Sequence, residues 1–206
     1  RKTNNFKVWM DKMKAEGKIK SEYLPLKKDG DLAELMGVVL GDGHIWRYER
    51  TEELSIFSNA NNPGFIKRYA RLLEKVFDKK PIIREHSPKS CIRIRIYEKH
   101  ILKRFGVPVS PRLHKKIVVP KWIFNKKEFV IRYLRGLYEA EGSHSIHLPT
   151  STYKVQFSNR NVCMLENVFI LVSKLGFHPH KSQYQIQLSR KEEVFRFLDL
   201  IEFRKY

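Results

Sequence analysis

The chain is 206 residues long and carries 41 Lys plus Arg against 22 Asp plus Glu, a net charge of +19 and a pI near 10.0. That length suits one ordinary domain or two small fused ones with a true core, and no apolar run approaches the roughly 18 residues of a membrane-spanning helix. Two cysteines outside any CxxC spacing and eight histidines without a ligand pattern exclude a disulfide framework and a thiolate zinc site, so the expected setting is reducing and intracellular.

Basic residues are spread along the chain and do not line one amphipathic helix, which favours a nucleic acid over an anionic membrane as the partner. Residues 1–30 are a polar, Lys-rich lead-in with a short helix expected at FKVWMDKMKAE (6–16). The segment LMGVVLGDG (35–43) then reads as an apolar helix closing on Asp42 and Gly43. ELSIF (53–57) is a short strand, and Phe65, Tyr69, Leu72, Leu73 and Val76 recur at helical spacing. CIRIRIY (91–97) alternates Ile92, Ile94 and Ile96 with Arg93 and Arg95, a half-buried strand with arginines outward. A short helix at HILKRF (100–105) closes this first half, 31–105.

Pro108, Pro111 and Pro120 mark 106–127 as a basic, extended linker without a periodic apolar face. The second half, 128–206, repeats the first. LRGLYEAEG (134–142) ends on Glu141 and Gly142, and Gly37/Gly136 and Asp42/Glu141 match at an offset of 99. Phe57-Ser58-Asn59 recurs as Phe157-Ser158-Asn159 at an offset of 100, followed by a helix through Leu165, Val168, Phe169, Val172 and Leu175 with Gly176 as its stop. YKVQF (153–157) places Lys154 and Gln156 outward, YQIQLSR (184–190) places Gln185 and Gln187 outward, and EEVFRFLDL (192–200) is the closing helix.

An acid at a helix C-terminus opposes the macrodipole by about 0.3–1 kcal/mol, and here it happens twice in matching context. Such local rule-breaking marks functional sites. Gly43 and Gly142 suit a left-handed cap, and Gly37 and Gly136 suit close approach of two helix backbones, which would bring Asp42 and Glu141 together. Two neighbouring carboxylates call for a hard divalent cation such as Mg²⁺ and point to phosphodiester hydrolysis.

These paired segments resemble the signature motifs of the single-chain LAGLIDADG homing endonucleases: Leu35, Gly37, Asp42 and Gly43 match in the first copy, with Leu40 replacing an acid. Leu134, Gly136, Leu137, Glu139, Ala140, Glu141 and Gly142 match in the second. Arg135 departs from a small residue, so close packing of the helices there requires its stem to lie across the interface with the charge reaching solvent. The resemblance implies an α+β fold of two pseudo-symmetric αββαββα halves whose curved antiparallel sheets form a saddle on double-stranded DNA, in a monomer that makes a site-specific double-strand break. It implies Mg²⁺, or Mn²⁺ as a substitute, held by Asp42 and Glu141 with the carbonyls of Gly41 and Ala140. Expected DNA contacts are Arg47, Arg84, Arg93, Arg95, Lys154, Gln156, Gln185, Gln187 and Arg190, because Arg reads guanine and Gln reads adenine bidentately. Lys115 and Lys116 are candidates for a catalytic cation near the scissile phosphates, with phosphate anchoring the alternative, and His44 and His144 follow the acids closely enough to approach the backbone. An enzyme located in the cytoplasm or an organelle with its DNA is the expectation, and an intron, an intein or a free-standing gene all fit the sequence as its origin. An RNA maturase or an inactive DNA-binding protein of the same fold is the alternative.

Overall fold

The computed structural model describes residues 5–18, 22–86 and 90–206. The first half comprises α2 (Gly30–Asp42), β1 (Gly43–Arg47), β2 (Glu52–Asn59), α3 (Pro63–Phe77), β3 (Ile82–His86), β4 (Cys91–Glu98) and α4 (Ile101–Phe105), preceded by α1 (Asn5–Ala15). The second comprises α5 (Lys127–Glu141), β5 (Gly142–His147), β6 (Thr152–Ser158), α6 (Val162–Lys174), β7 (His180–Lys181), β8 (Gln185–Leu188) and α7 (Lys191–Leu200). Each half is therefore αββαββα and builds its own four-stranded antiparallel sheet, in the order β1-β2-β4-β3 and β5-β6-β8-β7.

The centre of the molecule is the pair α2 and α5. Asp29 caps α2 by accepting from the amides of Asp31 and Leu32 at 3.1 Å. Everything from Leu32 to Leu40 is then buried, which is why this helix is apolar around its whole circumference. The backbones touch at the two glycines. A Cβ on Gly37 would stand 2.3 Å from the carbonyl oxygen of Tyr133, and one on Gly136 would stand 2.1 Å from that of Glu34. No side chain fits at either place, so the loss of helix propensity is offset by close packing.

Arg135 does not send its charge to solvent. It is 1 % exposed, ion-pairs with Glu202, donates to the carbonyl of Lys205 at 2.8 Å and lies 3.6 Å from the buried Glu34. Glu34 also receives a fork from Arg68 and a bond from Arg132. A buried carboxylate needs such partners, and the contact between the halves supplies them.

The repeated Phe-Ser-Asn triplet is only partly equivalent in space. Gly43 pairs with Ile56 but Gly142 pairs with Phe157, so the second hairpin is longer and its strand slips by one side chain. A slip of one residue exchanges the faces of a strand. Leu54 and Ile56 point into the first core and leave Phe57 on the polar face, whereas Val155 and Phe157 are fully buried. The triplets rejoin at their last residue: Asn59 and Asn159 accept from the amides of Asn61 and Asn161 at 2.9 and 2.8 Å.

The linker is irregular up to a 3-10 turn at Lys121–Asn125, as its prolines require. It is nonetheless part of the core, because Val107, Ile117, Val119 and Ile123 are buried. In the lead-in, α1 buries no residue, while Leu26 joins the core.

Candidate active site

Both central helices end at their acid and pass directly into a strand. Gly43 and Gly142 are not left-handed caps: their φ angles are −101° and −90°, ordinary extended backbone. They are glycines for another reason. A Cβ on Gly43 would lie 2.6 Å from the carbonyl oxygen of Val39, and one on Gly142 2.3 Å from that of Tyr138, because the strand leaves across the helix's last turn.

This exit brings the acids to adjoining helix ends. A Cβ on Gly41 would meet that of Ala140 at 2.5 Å and Cγ of Glu141 at 2.9 Å. Burial, and then the charge of Glu141, push the Asp42 carboxyl up to about 7, and burial raises Glu141 as well. Among the described residues no ion pair offsets either shift.

Each acid opens into its own cleft. Glu141 shares one of about 580 Å³ with Gly41, Arg112, Asn159 and Asn161, and Asp42 shares one of about 430 Å³ with Ala140, Asn59, Arg204 and Tyr206. Each cleft thus combines an acid from one helix, the residue before the acid on the other, a strand-end Asn and an Arg from the segment after a half's last helix. Asn159 donates its amide to Glu141 at 3.3 Å. Arg112 donates to the carbonyls of Val39 and Gly43 at 2.9 and 2.8 Å, which caps the end of α2, and Arg204 reaches the carbonyl of Gly142 at 3.5 Å. The remaining Nη2 of Arg112 is buried without a partner, and burial lowers this guanidinium to about 10. Asn161 fixes the loop by donating to the carbonyls of Arg112, Leu113 and Lys115.

The homing endonuclease I-DmoI in complex with DNA and Mn superposes on 84% of the chain and 96% of its own length, with a TM-score of 0.57 at 20% identity. The chain has the LAGLIDADG homing endonuclease fold. The N-terminal LAGLIDADG domain of DUF199/WhiA shares it at a TM-score of 0.58 and 15% identity, covering 88% of each chain. No family profile matches the sequence. The tRNA-splicing ligase RtcB of Pyrococcus furiosus is 29% identical over 138 residues, 58% of this chain and 14% of that protein. The replication factor C small subunit of Methanocaldococcus jannaschii is 27% identical over 191 residues, 87% of this chain and 9% of that protein. The chain thus spans about a tenth of the length of these curated relatives.

On this LAGLIDADG scaffold the expected contact residues fall into unlike groups. In the second sheet, Lys154, Gln156, Gln185 and Gln187 stand together on the face opposite Val155 and Ile186, and Gln156 donates to Gln187 at 2.7 Å. In the first sheet, Arg84, Arg93 and Arg95 share the corresponding face. Arg93, however, is tied down by an ion pair with Glu53, which is only 1 % exposed, and by a 3.0 Å bond to Ser55. Arg95 lies over the Tyr97 ring at 5.3 Å. Beside the exposed Arg84, this face carries an aromatic row, His44, Trp46, Tyr48 and Tyr97, at 5.6 to 6.4 Å between successive rings, with Trp46 and Tyr48 exposed. Alternation of Trp and Tyr at positions 46 and 48 was the available signal for it.

Arg47 and Arg190 lie elsewhere. Arg47 shares the parity of the buried Ile45 but is exposed at the hairpin end of β1, and Arg190, at the N-cap position of α7, donates to the Glu193 carboxylate at 3.3 Å. The lysines also stand apart from the acids. Lys115 donates to the carbonyl of Val109 at 2.7 Å, and Lys116 lines a different cavity with Val107 and Ile117. Arg112, three residues ahead of Lys115, faces the Glu141 cleft and was missed because a buried arginine in a proline-bounded loop has no sequence signature. His144 packs against Phe203, away from the polar face.

Proposed function

We propose that this protein is a site-specific endonuclease that breaks both strands of duplex DNA by divalent-metal-dependent phosphodiester hydrolysis. One observation carries the reading: two desolvated carboxylates, one per half, sit at adjoining helix ends without an ion-pair partner among the described residues, and each opens into its own cleft beside an arginine. Two clefts match two strands. Asp42 and Glu141, with the carbonyls of Gly41 and Ala140, are hard oxygen donors suited to Mg²⁺, with Mn²⁺ as a substitute. An ion held by these groups would supply Lewis acidity to the phosphate and to a water near neutral pH.

The chain's own groups do the rest. Asp42 must lose the proton that its surroundings favour, Asn159 orients Glu141, and Arg112, which lines the Glu141 cleft, sets its guanidinium charge beside the phosphate. Arg204 is its counterpart at the Asp42 cleft. Lys115 and Lys116 then serve as phosphate anchors at the rim. Gln156, Gln185 and Gln187 read base edges with Lys154 on one half-site, and the aromatic row with Arg84 and Arg95 contacts the other. Both clefts come from one chain, so a monomer suffices. An RNA ligase and a replication factor share with this chain only a small part of their length, which supports a module carried in by an intein or intron over one that works in either host's reaction.

Incubating the protein with a library of duplex sites tests this reading. Mg²⁺ should give double-strand breaks at one site, and EDTA, Asp42→Asn and Glu141→Gln should each abolish them while binding persists. Tight binding without cleavage at any site would favour a binding protein of the same fold, which leaves the two acids unused.

A further inference from the structure

A larger basic cavity lies away from the acids. It has a volume of about 660 Å³, is bounded by α3, the N-terminal ends of α2 and α5 and the last two residues, and is lined by Lys67, Arg68, Arg71, Lys75, Arg132 and Lys205. Two of these cations are structural: Arg68 and Arg132 hold the buried Glu34. Lys75 pairs with Asp31, the single acid in the lining. Among the described residues Lys67 and Arg71 have no ion-pair or hydrogen-bond partner, and both are exposed. With Lys75 they recur every four residues along α3, a line of cations spaced about 6 Å apart. A row of this kind complements a chain of phosphates.

Its position separates it from the sheet surface. The buried side of α3, from Phe65 to Leu73, covers the core face of the first sheet, so its outer side looks away from the polar face. Asp31 lies eleven residues before Asp42 on α2, so the far end of the groove is about 17 Å from the acids. Only Tyr206 borders both this groove and the Asp42 cleft among the described lining residues. The groove is also asymmetric. Helices α3 and α6 begin after Asn62 and Asn161, and at that offset Lys67 and Arg71 correspond to Glu166 and Ile170. The row is therefore confined to one half.

We propose that the groove along α3 is a second nucleic-acid site, which takes the phosphodiester backbone of a single strand. Its volume is that of a pocket for a small ligand or a few nucleotides, and a duplex laid on the polar sheet faces does not reach it. Point-charge contacts of this type hold DNA or RNA, with Tyr206, 56 % exposed, available to stack a base at the mouth.

The full chain and its Lys67→Ala/Arg71→Ala variant should be titrated with a single-stranded DNA oligonucleotide, an RNA of the same sequence and a duplex, over a range of salt. Loss of two contacts should make log K against log salt shallower by about 1.4 for the responding single strand, with duplex binding and cleavage unchanged. Whichever oligonucleotide responds identifies the source of the strand. Arg84→Ala/Lys154→Ala should show the reverse pattern. Wild-type protein that binds no single strand, an α3 variant with an unchanged slope, or equal weakening on the duplex would each overturn the site. Inorganic tripolyphosphate displacing the strand one for one would overturn the strand assignment in favour of a small anion. Failure to bind or cut a duplex sinks the endonuclease reading instead and leaves this one standing.

Discussion

Replacing Asp42 by Asn should make the protein more stable while removing its activity. In the fold the carboxyl is held at about 7 against an ordinary 3.8, so the protonated form is favoured. The sign follows: stability is full below pH 3.8 and is lost as pH rises through 7. At about 1.4 kcal/mol per pH unit the gap amounts to ~4 kcal/mol, and partial exposure reduces it to roughly 2–4 kcal/mol. Asn keeps the shape without the charge. Denaturant unfolding should therefore show a gain of about that size at pH 8, roughly 40% of it at pH 5 and almost none below about pH 3, equivalent to roughly 5–15 °C in Tm at pH 8. Mg²⁺ at a hundred times its Kd should stabilise the wild type by about 2.7 kcal/mol and the Asn variant far less. An Asn variant that is no more stable at pH 8, or equally stabilised at pH 5 and pH 8, would refute the electrostatic account of the site.

Gly136→Ala should lose at least ~3 kcal/mol in denaturant unfolding, because its Cβ would meet backbone, the Glu34 carbonyl at 2.1 Å, and not a movable side chain; a neutral result would mean the helices are further apart. Arg93→Ala should destabilise by ~3–5 kcal/mol by stranding Glu53, and Glu53→Gln in the same chain should restore much of it. Unchanged stability with relaxed base preference would make Arg93 a reader of DNA. Arg112→Ala should slow cleavage by about 10²–10³ with DNA affinity little altered, and Arg112→Lys should recover part of the rate. Lys115→Ala should instead leave the rate and flatten the salt slope by about 0.9. Single-turnover kinetics and binding titrations separate the two, and a collapse in rate for Lys115→Ala reverses their roles.

Periodicity and the internal repeat determined the αββαββα plan, the two sheets and the ending of each central helix on an acid, because each of these is a local pattern repeated at a matching interval. Gly37 and Gly136 announced close helix packing in the same way: a costly residue in a helix interior has few other uses. Strand faces needed the tertiary structure. Phe57 and Phe157 look alike in the sequence, yet different hairpin lengths set their register and send them to opposite sides. Gly43 and Gly142 were legible as necessary but not for the right cause, since the steric limit is the carbonyl one helical turn away. Charge was the least legible. Arg93, Arg112 and Arg135 are all arginines in basic stretches, and only the folded chain makes one the partner of Glu53, one the cap of α2 beside Glu141 and one a buried link to Glu34 and Glu202. A side chain's charge is set by its residue type, but what that charge does depends on which groups the fold brings within a few ångströms of it and how much water it excludes.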